Sequence, residues 1–225
     1  MLVNSLKFSL IVLSFAACTN VKTQTGSGVP QFAPSVSRMI SKMPDTKGLE
    51  TATLAGGCFW KMDACYQQLN GVVGLEVGYA GGKTMNPTYE EVSTRTTGHA
   101  ETIKLVFDPK IVSYREILEV FWNIHDPTVL NREGNDAGDD YRSVVFYHNE
   151  EQKKTAEMVK DSILKTGLWS KIVTTTEPYT KFYRGEEYHQ NYYFINPNEG
   201  YTGSVVRHKV ELFEERFKAK MKPKA

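Results

Sequence analysis

Cysteine is scarce in this chain of 225 residues: there are 3, at positions 18, 58 and 65. No framework of disulfides can hold the fold, so a hydrophobic core must. An excess of charge of one sign is also missing. Lysine and arginine number 27 against 26 aspartates and glutamates, a formal net charge of +1, which removes the electrostatic argument for a nucleic-acid partner. A mildly basic end with Arg216, Lys218, Lys220, Lys222 and Lys224 reads as a solvated helix end running into a tail over 221–225. The 5 histidines, at 99, 125, 148, 189 and 208, have neither close metal-ligand spacing nor a cysteine pair to join, so neither metal nor cofactor is expected. Gly78-Tyr-Ala-Gly-Gly82 lacks the spacing of a dinucleotide or phosphate loop. There is no internal repeat.

What is present begins with an apolar run from Phe8 to Ala17, preceded by Lys7 and ending in small residues. The run is too short to span a bilayer as a mature helix and has the form of an export signal over 1–17. Cys18 directly after Ala16-Ala17 resembles the lipobox of bacterial lipoproteins, although Phe15 replaces the usual aliphatic residue. Lipidation of Cys18 is the expectation, with an exported, membrane-anchored protein of the bacterial cell envelope as its consequence. The alternative is an ordinary secretory signal that leaves Cys18 a plain thiol or removes it. Residues 18–48, rich in Thr, Ser, Gln, Gly and Pro at their start, read as a flexible tether reaching roughly 30 Å.

A folded domain is expected over 49–220. Glu50 to Ala55 alternates like a strand, and Gly56-Gly57 ends it. A helix from Cys58 to about Leu69, a strand from Val72 toward Gly81 and a strand from Ala100 to Phe107 follow. Ser113 with Glu116 forms a capping box before the apolar face of Ile117, Leu118, Val120, Phe121 and Ile124. Ser143–Tyr147 is a strand, Asn149 with Gln152 caps a helix to about Lys165, and Lys171 to Thr176 suggests one more strand. This order predicts an α+β fold of split β-α-β (ferredoxin-like) type, a mixed sheet with packed helices in two layers. Tyr179 to Gly203 is aromatic-rich without clear periodicity, and a last helix is expected from about Val205 to Lys220.

Gly56-Gly57-Cys58-Phe59-Trp60 places a thiol at a strand-to-helix turn, where free amides and the helix dipole favour thiolate. Local position does not separate a nucleophile there from a small buried core cysteine. The wider pattern does. Gly-Cys-Phe-Trp, Gly78 to Gly82, Asn86-Pro-Thr-Tyr-Glu-Glu-Val92, Thr97-Gly-His-Ala-Glu101, Phe121-Trp with His125-Asp-Pro127, Gly134-Asn-Asp136 and Tyr141-Arg-Ser143 resemble successive blocks of the A-type methionine sulfoxide reductases, over roughly Leu54 to Asn198.

The resemblance implies that Cys58 attacks the sulfoxide sulfur and that Phe59 and Trp60 receive the methyl group. It makes Glu101 the acid, Tyr89 and Tyr141 hydroxyl partners of the sulfoxide oxygen, and Asp136 part of the polar surround. A leaving oxygen must be protonated, so a neutral carboxyl beside the thiol suits the chemistry. The implied partners are oxidised methionine-containing proteins and an external thiol reductant, either a thioredoxin-like protein or a small thiol, with a monomer expected. Two features depart from the family pattern: Lys61 and Asp63 stand where Gly and Glu are usual, and Thr202 replaces a resolving cysteine carried by many members. Cys65, seven helical residues from Cys58, would lie roughly 10.5 Å away, beyond the roughly 4.4–6.8 Å of a disulfide. A single-cysteine cycle is therefore expected. The competing class is a non-catalytic module that binds oxidised peptides, which loss of Glu101, Tyr89 or Tyr141 would have favoured.

Overall fold

The computed structural model describes residues 43–223. The expected export signal, Cys18 and most of the expected tether lie outside the described residues. Strand β1 (Glu50–Gly56) leads into helix α1 (Phe59–Gln67), followed by β2 (Val72–Ala80), a short α2 (Tyr89–Ser93) and β3 (Ala100–Phe107). Then come α3 (Tyr114–Ile124), the small ribbon β4 (Arg132–Glu133) and β5 (Asp136–Ala137), β6 (Ser143–Tyr147) and α4 (Glu150–Lys165). The chain ends through β7 (Thr175–Pro178), β8 (Phe182–Arg184), α5 (Tyr192–Ile195) and α6 (Arg207–Arg216).

The main sheet has the order β7-β6-β1-β3-β2-β8. Its four central strands pair antiparallel, which is the ferredoxin-like arrangement expected from the sequence, and β7 adds in parallel to β6. Strand alternation decides what faces the helices. Ala52 and Leu54, Leu75, Val77 and Tyr79, and Ile103, Leu105 and Phe107 join α1, α3 and α4 in one core. Ala55, Ala80, Ala100, Val144 and Phe146 form a second, smaller cluster in which alanines pack around Val144 and Phe146. Glu101 shares the parity of Ile103, Leu105 and Phe107, so β3 carries its carboxyl into the helical layer and away from solvent.

Both capping devices form as expected. Ser113 Oγ accepts from the Glu116 amide at 3.2 Å while Glu116 accepts from the Ser113 amide at 2.9 Å. Asn149 caps α4 through the Gln152 amide at 2.9 Å, and the Gln152 side chain donates to the Thr51 carbonyl at 2.8 Å, tying α4 to β1.

The structure moves two elements. The strand expected at Lys171–Thr176 forms at Thr175–Pro178, because the Val173 amide donates to the Pro127 carbonyl at 2.8 Å and is drawn away from the sheet. The last helix starts as a π turn over Thr202–Val206, continues as α6 and stops at Phe217, after which Lys218–Lys220 make a 3₁₀ turn. That end is not simply solvated: Met221 bridges Leu69, and Lys220 Nζ lies 2.8 Å from Glu116. At the other end, Met43 and Pro44 lie against Gly74 of β2.

Candidate active site

The nucleophile candidate owes its position to a glycine. Gly57 has φ +75°, the left-handed region where a side chain is strained, and a Cβ there would lie 2.5 Å from Cβ and Cγ of Glu133. The chain therefore turns sharply from β1 into α1 with Cys58 at the N-cap position. Cys58 is 6 % exposed. Glu101, 4 % exposed, reaches the same helix end from β3, and its Oε2 accepts the Phe59 amide at 2.9 Å. A carboxyl thus satisfies the first turn of α1 directly beside the thiol.

Burial reverses the electrostatic expectation for the thiol. It and the neighbouring Glu101 push Cys58 up to about 12, and the amides of Lys61 and Trp60 offset only part of this. A helix terminus contributes a fraction of a charge, whereas complete desolvation penalises a full one. Burial also carries Glu101 up to about 8, against the Phe59 amide and with help from Asp140 and Asp136. At neutral pH the resting site holds a thiol and a carboxylic acid, both protonated. Tyr89 is raised to about 12 and Tyr141 further, in each case by burial first and the Glu101 charge second. Both remain hydroxyl donors.

An aromatic wall closes the thiol's other side. Tyr192 stacks on Trp60 with ring centres 3.9 Å apart and planes at 10°, and Tyr201 meets it edge-on at 6.2 Å. Trp60 Nε1 donates to His189 Nδ1 at 3.2 Å; burial holds His189 down to about 4, so this ring is neutral and accepts at Nδ1. Phe59 sits behind, in contact with Tyr79 and His189. Tyr201 also donates a short hydrogen bond to Asp136, and burial and the Cys58 charge raise its hydroxyl strongly.

The structure therefore gathers Cys58, Phe59, Trp60, Tyr89, Glu101, Asp136 and Tyr141 around one helix end. It adds three residues to which the sequence reading assigned no role: His189, Tyr192 and Tyr201. The aromatic richness of Tyr179 to Gly203 was the available signal. The two departures are absorbed locally. Asp63 still reaches a partner, with Oδ1 accepting from Gln67 at 2.7 Å, and burial raises it to about 7. Lys61 makes a buried ion pair with Glu133 at 2.7 Å. Thr202, in place of a cysteine, is buried and donates to the Asn196 carbonyl. Among the described residues no cluster of three or more His, Cys, Asp or Glu could hold a metal ion.

A protonated carboxyl beside a thiol, walled by aromatic rings, suits removal of an oxygen from a small apolar group: the fold and the site define a thiol-dependent oxidoreductase. Comparison with known proteins agrees. The family model for peptide methionine sulfoxide reductase matches residues 50–221. The chain is 49 % identical over 175 residues to the peptide methionine sulfoxide reductase MsrA of Saccharolobus solfataricus, covering 77 % of this chain and 98 % of that protein. The MsrA of Leptospira borgpetersenii is also 49 % identical, with 76 % and 98 % covered. Among solved structures, reduced Mxr1 from Saccharomyces cerevisiae superposes with a TM-score of 0.67 at 35 % identity, covering 70 % of this chain and 91 % of that one. The methionine sulfoxide reductase A of Corynebacterium diphtheriae gives 0.63 at 30 % identity, covering 75 % and 83 %. The chain belongs to the peptide methionine sulfoxide reductase family, A type.

Proposed function

We propose that this enzyme reduces methionine-S-sulfoxide in oxidised proteins, and the free sulfoxide as well, through Cys58. One observation carries the assignment of roles: Glu101, kept protonated by burial, shares the first amide of α1 with the turn that carries the thiol. Cys58 Sγ bonds to the sulfoxide sulfur while Glu101 gives its proton to the oxygen, and the thiol proton replaces the one Glu101 lost. The sulfoxide S–O bond then breaks as the protonated oxygen passes to Sγ, and the transient Sγ–S bond breaks with its electron pair going to the methionine sulfur, so that Cys58 is left as a sulfenic acid and methionine leaves with its sulfur reduced by two electrons. Tyr89 and Tyr141 donate to the oxygen, Phe59 and Trp60 receive the methyl group, and Asp136 holds Tyr201 in place.

The sulfenic acid is discharged by an external thiol, a thioredoxin-like protein or a small thiol, which leaves water and a disulfide of that reductant. Cys65 is fully buried on the same helix as Cys58, and Thr202 cannot form a disulfide. Without added thiol, one enzyme should release about one methionine. Cys58→Ser should abolish turnover of methionine-S-sulfoxide with dithiothreitol while the far-ultraviolet spectrum stays native. Substantial remaining activity would remove Cys58 from the mechanism.

We further infer from Ala16-Ala17-Cys18 and the apolar run before it that the enzyme is exported and lipid-anchored at Cys18, so that it repairs envelope proteins. Cys18→Ala should block lipid-dependent processing. Recovery of the unchanged protein as a soluble, unlipidated exported species would overturn this.

A further inference from the structure

The reaction as described leaves a buried cation unused. Lys61, in the first turn of α1, is 3 % exposed and Glu133, on β4, 7 %. The Lys61 ammonium donates to the Gly56 carbonyl at 3.0 Å and to Glu133 Oε1 at 2.7 Å. Glu133 Oε2 accepts the Asp126 amide at 2.8 Å, and its Cβ and Cγ fill the space beside Gly57. One ion pair therefore joins α1, the end of β1, the loop after α3 and the β4-β5 ribbon that begins its return at Asp136.

A buried ion pair is weak as a source of stability, since an apolar pair of similar volume is often as good or better. Its position matters more. The carbonyl it holds belongs to the turn that carries Cys58, and the charge lies close enough to act on both the thiol and Glu101. We propose that Lys61 is a positioning residue of the reaction, clamped by Glu133 so that it fixes the Gly56–Cys58 turn and holds a positive charge beside the nucleophile. The inference rests on Cys58 being that nucleophile. Glu101 on β3, Tyr89 on α2 and Tyr201 of the C-terminal segment also face the thiol: Glu101, once ionised, opposes a negative charge on it, whereas Tyr89 and Tyr201 stay neutral and Tyr201 interacts with the sulfur as a hydroxyl donor. Lys61 is the group of opposite sign, itself faced by Glu133, by neutral His125 and, across Glu133, by Lys209 of α6 at 3.8 Å from the same oxygen.

The test is the pH dependence of Cys58 alkylation by iodoacetamide, resolved from Cys65 by tandem mass spectrometry, in wild type, Lys61→Met and Lys61→Met/Glu133→Gln. The single variant strands an anion and should lose thermal stability. The double variant should recover it within a few degrees, yet its alkylation midpoint should stay at higher pH. Its rate at pH 8 should be about tenfold below wild type, as one pKa unit requires. Turnover with dithiothreitol should fall by a similar factor at unchanged KM. An alkylation profile of the stable double variant that overlays wild type would overturn the proposal. Alkylation needs no turnover, so this result is distinct from failure of Cys58→Ser to abolish activity.

Discussion

Glu101 and Glu133 flank one turn of chain, and both are withdrawn from water, yet burial leaves them in opposite states. The region around Glu101 offers its carboxyl one amide and two nearby aspartates, and desolvation prevails, so the acid stays protonated to about pH 8. The region around Glu133 offers the Lys61 ammonium at 2.7 Å and the Asp126 amide, and these outweigh its desolvation and hold it below the ordinary carboxylate range. Burial sets the size of the penalty and the partner decides whether the charge survives it. The first region is thereby fitted to lend a proton, the second to hold a backbone turn.

The comparison breaks first, and furthest, at Glu101. Glu101→Gln should bind substrate at a similar KM but slow reduction by about 10² or more. Wild-type activity should fall as pH rises through about 8, where Glu101 loses its proton, and the variant's profile should lack that fall. Steady-state rates from pH 6 to 9.5 measure both, and an unchanged rate removes Glu101 from the acid's role.

Stability should separate the two glutamates next. Glu133→Leu leaves Lys61 a buried cation without its anion and should cost about 3–5 kcal/mol in urea unfolding, the usual result of breaking a buried pair. The pH dependence should differ in sign as well. Glu101 has a raised folded pKa, so its contribution is fully present below its unfolded value near 4.5 and is lost as pH rises through about 8. Glu133 has a lowered one, so its contribution is present above 4.5 and is lost as pH falls below it. The melting temperature of wild type relative to Glu101→Gln should therefore decline between pH 5 and 8.5, and a flat difference would contradict the assignment. The smallest effect is expected where burial is removed altogether. Arg115 and Glu119 form a largely exposed pair one helical turn apart at 3.1 Å, and Arg115→Ala should shift stability by no more than about 0.5 kcal/mol.

Much of this was legible in the chain. The capping box at Ser113 and the cap at Asn149 are legible in the chain, because a cap is settled between neighbouring residues. Glu101 could have been placed on the buried face from its parity with Ile103, Leu105 and Phe107. The protonation of Cys58 is not legible there, since a helix terminus is visible in sequence and the depth of a side chain is not. Tyr192 and Tyr201 have no periodicity to announce them: Tyr192 opens the four-residue α5 and Tyr201 directly precedes the π turn, and they matter through Trp60, more than a hundred residues away.

The sequence by itself determined the order of the four central strands and of α1, α3 and α4, the sharp turn at Gly57 and the resemblance that gathered the reactive residues, all of them carried by local spacing and near-neighbour sterics. Only the tertiary structure decided which acids keep their protons, that Lys61 meets Glu133, and that Tyr201 closes on Asp136. Those outcomes depend on desolvation and on Coulomb forces between segments distant in sequence, and neither has a value until the sheet has brought the segments together.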